Sequence, residues 1–460
     1  MSAVIPKNLS LYLRTITGYH KNLIRFYPDR TGTINSGDVL RWTFPREILN
    51  IESLTHFFDF STTYYGSKTG PIYQGFYFPR NSASIIDTTT LFINGQVFEN
   101  INGYNHLFNL LWDNTCGTNY YQSGIRALEG ADPSMRYTIA NDETITATIQ
   151  GSNVSSATDP SDSARTFQIR NFIGFLGTCK PTVLDLRNVE VIYEIRYAPA
   201  TIMWKGADIS ATTTPTAAYT ITNFYMTIEK ITFDDDYYGM ALSALKNSGN
   251  YTIVYKTYNT ARGASVTKTS NPSLQFSTTA KYLSSLYLTF IDANYTTINY
   301  IQNTSNNVSW AKQIADPATY PNAFNQSVYF KKTAVSLTDS QIEINGSPVY
   351  PYPQTLQQIK NNNLTSLGLD YSKSSADHNG LFSLESWSKY SFLQAINFEH
   401  PSAFEKEDII SGYPNQNNVQ LNLKWNTNWN ASAANNVYML AFMEKYSQVL
   451  FNGGSVSISF

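Results

Sequence analysis

The chain has 460 residues, with Lys+Arg 32 against Asp+Glu 34 and a net charge of −2. That length exceeds what one hydrophobic core usually supports, so two domains are expected, and the balance of charge leaves no global field to draw nucleic acid or an anionic membrane. Charged residues make up only 14% and aromatics also 14%, with 33 Tyr and 26 Phe, so the polar surface rests on Asn, Ser, Thr and Tyr. Interface cores share this charge-poor, aromatic character; strand propensity in an extracellular all-β protein would enrich Thr and Tyr as well.

Met1–Arg30 carries Lys7, Arg14, Lys21, Arg25 and Arg30 against Asp29, interleaved with Tyr12, Tyr19, Phe26 and Tyr27. A basic aromatic arm of this kind can pair with phosphates while its rings pack on a neighbour or on lipid; the alternative is a first strand or short helix packed beneath its own domain. The N-terminus lacks the basic start, apolar run and small-residue cleavage site of a signal peptide. No apolar run reaches the roughly 18 residues of a membrane span, so neither secretion by a signal peptide nor membrane spanning is expected. Asn294-Tyr-Thr and Asn303-Thr-Ser then reflect Asn, Ser and Thr abundance rather than glycosylation.

Beyond the arm, short segments of period-two alternation or β-branched and aromatic richness recur between Gly, Pro, Asn, Asp and Ser clusters. They include Val39–Phe44, Leu91–Ile93, Val189–Tyr197, Phe224–Phe233, Leu286–Phe290, Val419–Trp425 and Val437–Phe442. Helical periodicity is scarce, so the fold class is all-β. Four polar connections, Gly151–Arg165, Lys205–Ala218, Ala261–Pro272 and Gln302–Asn322, are long enough to serve as exposed decorations or partner-contact loops.

The halves repeat. Ile93-Asn94-Gly95, followed by Val97, returns as Ile344-Asn345-Gly346, followed by Val349; Asn188-Val189 returns as Asn418-Val419; Asn223-Phe224-Tyr225-Met226 returns as Asn436-Val437-Tyr438-Met439, each with a Glu-Lys pair shortly after. An Asn-Gly pair is the preferred tight-hairpin sequence and alone means little. Three matches in the same order favour two copies of one β-fold. Between them, Asp234–Ser248 places acids first and Lys246 near its end, the charge order of a short helix, expected over Tyr237–Lys246.

Little chemistry is visible. His20, His56, His106, His378 and His400 are scattered without metal-ligand spacing. Cys116 and Cys179 are too few for a disulfide framework and read as buried thiols, with a single bridge as the alternative. Asp234-Asp235-Asp236 reads as a helix start before a cation site, and Asp159 and Asp162 are weaker ligand candidates still. No catalytic, cofactor-binding or metal residue is assigned and no cofactor is expected. Glycosidase-type carboxylate pairs need a separation that sequence does not give.

Phe167–Tyr197 resembles the stretch in which double-jelly-roll major capsid proteins run a strand into a small-residue loop, a proline and a long strand. Thr222–Ala244 resembles their link between rolls, and Tyr390–Trp425, with Pro401 and Ser411-Gly412 before Leu421-Asn422-Leu423, resembles the turn before their penultimate strand. The lineage includes adenovirus hexon and the coats of tailless icosahedral phages, virophages, polinton-like viruses and nucleocytoplasmic large DNA viruses. The resemblance implies two tandem eight-stranded jelly rolls, each of two four-stranded sheets. The expected division is an arm over residues 1–29, jelly roll 1 over 30–235, a linker helix over 236–249 and jelly roll 2 over 250–460.

It further implies a homotrimer forming a pseudo-hexagonal capsomer of an icosahedral shell, located in the virion and assembled inside the host cell. Its partners would be neighbouring capsomers, penton and minor capsid proteins, with an internal membrane or genome reached through the arm. Alternative readings are a receptor-binding spike, or a carbohydrate-binding or carbohydrate-cleaving β-sandwich using Trp42, Trp112, Trp204, Trp310, Trp387, Trp425 and Trp429 as stacking faces.

Overall fold

The computed structural model describes residues 19–62, 76–77, 81–115, 165–205, 218–233, 240, 243–245, 247–248, 251–264, 273–278, 282–293, 295, 328–330, 332, 337–368, 387–388, 391–399, 412–414, 419–427, 437–452 and 455–459. Within them the first half forms β1 (Tyr19–Phe26), β2 (Val39–Thr43), β3 (Ile48–Thr62), β4 (Ile86–Ile93), β5 (Gln96–Asn102), β6 (Arg165–Ile169), β7 (Val191–Tyr197) and β8 (Tyr219–Phe233). The second half forms β9 (Tyr251–Arg262), β10 (Ser273–Thr278), β11 (Tyr282–Asp292), β12 (Leu337–Ile344), β13 (Ser347–Pro348), β14 (Gln394–Asn397), β15 (Val419–Thr427) and β16 (Val437–Asn452). Three helices join them: α1 (Tyr104–Thr115), α2 (Phe175–Thr178) and α3 (Leu356–Ser366).

Roll 1 stacks a sheet of order β1-β8-β3-β6 on one of order β2-β7-β4-β5. Roll 2 repeats both orders eight strands later, as β9-β16-β11-β14 and β10-β15-β12-β13. In the sheets that hold β7 and β12 the strands alternate, with polar residues on the outer side: β7 (VIYEIRY) buries Val191, Tyr193, Ile195 and Tyr197, and β12 buries Leu337, Ser340, Ile342 and Ile344. Short strands enlarge three of the sheets, Ile34–Asn35 on β8, Val183–Asp185 on β3, Tyr413–Pro414 on β11, Ser455–Ser459 on β16 and Gln354–Thr355 on β12. The expectation of two four-stranded sheets per roll therefore holds for the central strands only.

The two Asn-Gly turns occupy the same place, closing β4 onto β5 and β12 onto β13. Asn94 (φ 49°) and Gly95 (φ 77°), and Asn345 (φ 51°) and Gly346 (φ 79°), all take the left-handed conformation that a two-residue hairpin turn requires. Gly95→Ala and Gly346→Ala would each meet open space, so only the backbone cost remains. Each is expected to lose about 1 kcal/mol, equally in the two rolls, in chemical denaturation.

One boundary is corrected. Tyr19–Phe26 had been assigned to the arm, yet all eight of its residues pair with β8, from Tyr19 with Phe233 to Phe26 with Met226. Roll 1 therefore begins before Arg30. The physical reason is that β1 is an edge strand with a mostly exposed surface, so its basic, aromatic sequence lacks the alternation of a half-buried strand. Residues 1–18 lie outside the described residues, as do the three acids of the linker; Met240 and residues 243–245 there are helical.

Helices α1 and α3 were not anticipated. Both follow the Asn-Gly hairpins at nearly equal spacing. Thr355 and Gln358 cap α3 reciprocally, a Thr-x-x-Gln signature visible in the sequence. No helix among the described residues is long and apolar enough to cross a membrane.

Candidate functional site: the junction between the rolls

The outer face of β9 and β16 does not face solvent but packs on roll 1. Residues of both rolls, among them Leu107, Phe175, Tyr193, Tyr255, Tyr258, Leu440, Phe442 and Phe451, form one continuous buried cluster, while roll 2 keeps a second core around Leu288, Phe290, Trp387 and Met439. Backbone bonds seal the seam: Lys180 N donates to Val254 O at 2.8 Å and Val254 N to Lys180 O at 2.9 Å. The Tyr255 hydroxyl donates to Phe98 O at 3.1 Å, and Thr260 Oγ1 to Asn102 O at 2.7 Å.

Polar groups buried at this seam form three sites. At the first, Phe175 N at the start of α2 donates to Glu99 Oε2 at 2.9 Å and Oε1 at 3.2 Å. Burial pushes the Glu99 carboxyl up to about 8, against the pull of these bonds and of Thr257. A Cβ at Gly174 would fall 2.6 Å from both carboxylate oxygens, and Gly174 has φ 75°, so only glycine lets the backbone reach the carboxylate.

At the second, on roll 2, Lys256 Nζ bridges two nearly buried carboxylates, Glu399 at 2.6 Å and Glu444 at 2.9 Å. Ser284 Oγ donates to both, at 2.7 Å to Glu444. Tyr258 OH donates to Glu444 Oε2 at 2.7 Å and Tyr446 OH to Glu399 at 3.0 Å. Burial alone would raise the Glu444 carboxyl, but Lys256 and the hydroxyls more than offset it and hold it below the ordinary carboxylate range.

At the third, Lys332 Nζ donates to His106 Nδ1 at 3.0 Å and to Phe330 O at 3.2 Å. The imidazole stacks on Tyr329 at 4.6 Å. Burial first, then Lys332 and Arg262, keep it neutral, well below its usual pKa. Nearby, Asn114 Nδ2 donates to Ser391 O and Trp387 Nε1 to Asn114 Oδ1, tying the end of α1 to roll 2.

The first and third sites link the two rolls, through Glu99 with Thr257 and His106 with Lys332, and the second ties strands of roll 2 together; their polar groups are bonded to protein groups, an arrangement suited to fixing geometry. A cleft lined by Asn81, Phe108, Trp112, Ile169 and Arg170 has room for about 10 Å³, roughly one water. No group of three or more His, Cys, Asp or Glu among the described residues is placed to hold a metal ion.

The residues weighed from sequence scatter accordingly. His20 is exposed on β1, and His56 is buried between Trp42 and Phe58 with burial lowering its pKa to about 4. Cys179 is a buried free thiol pushed up to about 12 by burial. Trp42 and Trp387 fill cores, which removes two of the proposed sugar-stacking faces, and Trp112 is half-buried. Trp204 and Trp425 stand in strands. Cys116, His378, His400, Asp159, Asp162, Asp234-Asp235-Asp236, Asn294, Asn303, Asn436, Trp310 and Trp429 lie outside the described residues, as does most of each long polar loop. Glu99, Lys256, Glu399 and Glu444 carry no local sequence signature of their burial, since their partners come from distant strands and loops.

Two rolls of the same strand order, fused along a buried seam, define the chain as a double jelly roll, the fold of double-jelly-roll capsid proteins. No family model matches the chain, and no curated protein matches it in sequence. Among solved structures it is similar to VP54 of PBCV-1 fitted into a reconstruction of the virophage Sputnik, with TM-score 0.56 and 12% identity over 96% of this chain and 97% of that one. A chain of the Sputnik virophage itself gives 0.53 and 14% over 96% and 88%. The Faustovirus major capsid protein gives 0.51 and 9% over 95% and 91%. At these identities the shared property is the fold, with both rolls present and almost nothing left over on either side.

Proposed function

We propose that the chain is the major capsid protein of an icosahedral virus, three copies of which form a capsomer of six rolls that tiles the shell. The observation that carries this reading is the likeness to capsid chains over both rolls at once, covering nearly the whole length of each partner in the comparison. The fused rolls support it: a rigid two-roll subunit can close a ring through one heterologous contact. The charge-poor, aromatic composition suits a protein whose surfaces meet others. Its place is then the virion. Neighbouring capsomers, penton and minor proteins contact it, and residues 1–18, with Lys7 and Arg14, reach toward a membrane, the genome or an adjacent capsomer on the inner side.

Light scattering on the purified chain tests the first step, and electron microscopy of particles the second. Trimers that melt at higher temperature as concentration rises are expected, by mass action. A chain that stays single across the whole concentration range and never yields shells overturns the proposal. Deleting residues 1–18 is expected to leave trimers intact and to reduce particle yield.

A further inference from the structure

Within one chain, roll 1 presents a protruding segment to a flat face of roll 2. The segment is the end of β5 and the start of α1. Asn102 O takes the Thr260 hydroxyl at 2.7 Å, and a Cβ at Gly103 would lie 3.8 Å from Phe442. The face is the outer side of β9, β16 and β11, where Leu440, Phe442 and Ile291 are buried.

Roll 1 carries a counterpart of that face. Arg262 of β9 stacks over Tyr438 at 3.8 Å, and Arg25 of β1 stacks over Tyr225 at 4.0 Å. In each roll the tyrosine lies two residues before the arginine's register partner, Leu440 or Thr227. Thus Leu23 corresponds to Thr260 and Phe57 to Ile291. In roll 1, however, nothing among the described residues covers the face: Leu23 is 68% and Tyr27 56% exposed, and Phe57 and Tyr225 stack half-buried at 5.1 Å.

Roll 2 carries a counterpart of the segment. Thr88 pairs with Asn102 and Asp339 with Thr355, each five residues before its Asn-Gly turn's leading isoleucine, so Asn102 corresponds to Thr355, which is exposed. Pro351, Tyr352 and Pro353 are exposed, Tyr352 by 53%, and α3 turns uncharged Gln357, Gln358 and Asn361 outward. The residues at the same places from the start of α1, Asn105, His106 and Asn109, are buried, and His106 meets Lys332 and Tyr329 of roll 2.

We infer that the exposed face around Leu23, Arg25, Tyr225 and Phe57 is the docking surface for a second copy of this chain, which seats on it the segment Tyr352–Thr355 and the start of α3. This rests on the coat-protein reading and adds to it which surfaces meet. Each chain uses one segment and one face internally and keeps one of each; joining the leftovers by the internal geometry is a heterologous contact that propagates around a ring. Three chains supply six rolls joined by six equivalent seams.

Leu23→Glu, beside its register partner Glu229, and, separately, Tyr352→Glu each replace an apolar or aromatic side chain of the contact with a carboxylate. Each should weaken the trimer by about 100-fold or more in light scattering. Leu23→Lys combined with Tyr352→Glu should recover it. A fold-independent check uses Leu23→Cys with Thr355→Cys in a Cys116→Ser background, the positions equivalent to Thr260 and Asn102, where the Thr260 hydroxyl meets the Asn102 main-chain oxygen at 2.7 Å. Oxidation with diamide should give a covalent three-chain product on a denaturing gel. A wild-type trimer that is unmoved by either Glu variant, with no covalent product from the cysteine pair, overturns this inference and leaves the coat-protein reading standing. A wild-type chain that never associates removes both.

Discussion

Lys256→Met is expected to destabilise the protein by about 3 kcal/mol or more, because it leaves two buried carboxylates facing each other without their cation. Only 5% of the Glu444 side chain and 6% of Glu399 reach solvent, so water cannot replace the ammonium. Methionine matches the lysine stem in length, so packing changes little and the loss is electrostatic. The loss should shrink toward acid pH, because without Lys256 burial raises the Glu444 carboxyl above its ordinary value of 4.5 and lets it take up a proton, and adding Glu444→Gln should recover much of it. Urea denaturation of the three proteins at pH 7 and pH 4 checks this; equal losses at both pH values would mean the lysine acts through its stem alone.

Glu99→Gln is expected to stabilise the protein at alkaline pH. Unfolded, Glu99 loses its proton near its ordinary value of 4.5, whereas burial makes the folded protein hold it to about 8. Between these values the native state keeps a proton the unfolded chain has released. The folded state therefore has its full stability from this group below pH 4.5 and loses about 1.4 kcal/mol per pH unit as pH rises toward 8. A neutral amide removes that slope while its oxygen still accepts from Phe175 N. The difference in stability between variant and wild type, followed from pH 4 to 9, should grow through this window in the variant's favour. A flat difference would show that Glu99 is ionised throughout. Taking the difference also cancels His56 and His106, whose lowered pKa values act in the opposite direction at acid pH.

Much of the fold was legible in the sequence because strands announce themselves by period. The alternation of Val191–Tyr197 and the two Asn-Gly turns report local constraints, and their repetition pointed to a duplicated architecture. The strand β1 reads as part of an arm because an edge strand exposed over most of its length, with only Ile24 and Phe26 turned inward, shows little apolar period. The helices fell outside the reading although Thr355-x-x-Gln358 was there to be seen. The seam was illegible for a different reason: Tyr258 and Glu444 are 186 residues apart, and His106 and Lys332 are 226 apart. Pairings at such separations are made by topology, and nothing near either residue marks its partner.

The seam also fixes an order of events during synthesis. Roll 1 can close once β8 has left the ribosome, but Phe175, Leu107 and the groups around Glu99 then wait on β9 and on β16, and β16 is the last long strand among the described residues. Nascent folding proceeds from the N-terminus, so every partially made chain carries an unsealed apolar flank until its final strand is in place. Premature termination thus yields a molecule marked for chaperones and proteases by that flank, and only full-length subunits enter the pool of building blocks with it hidden.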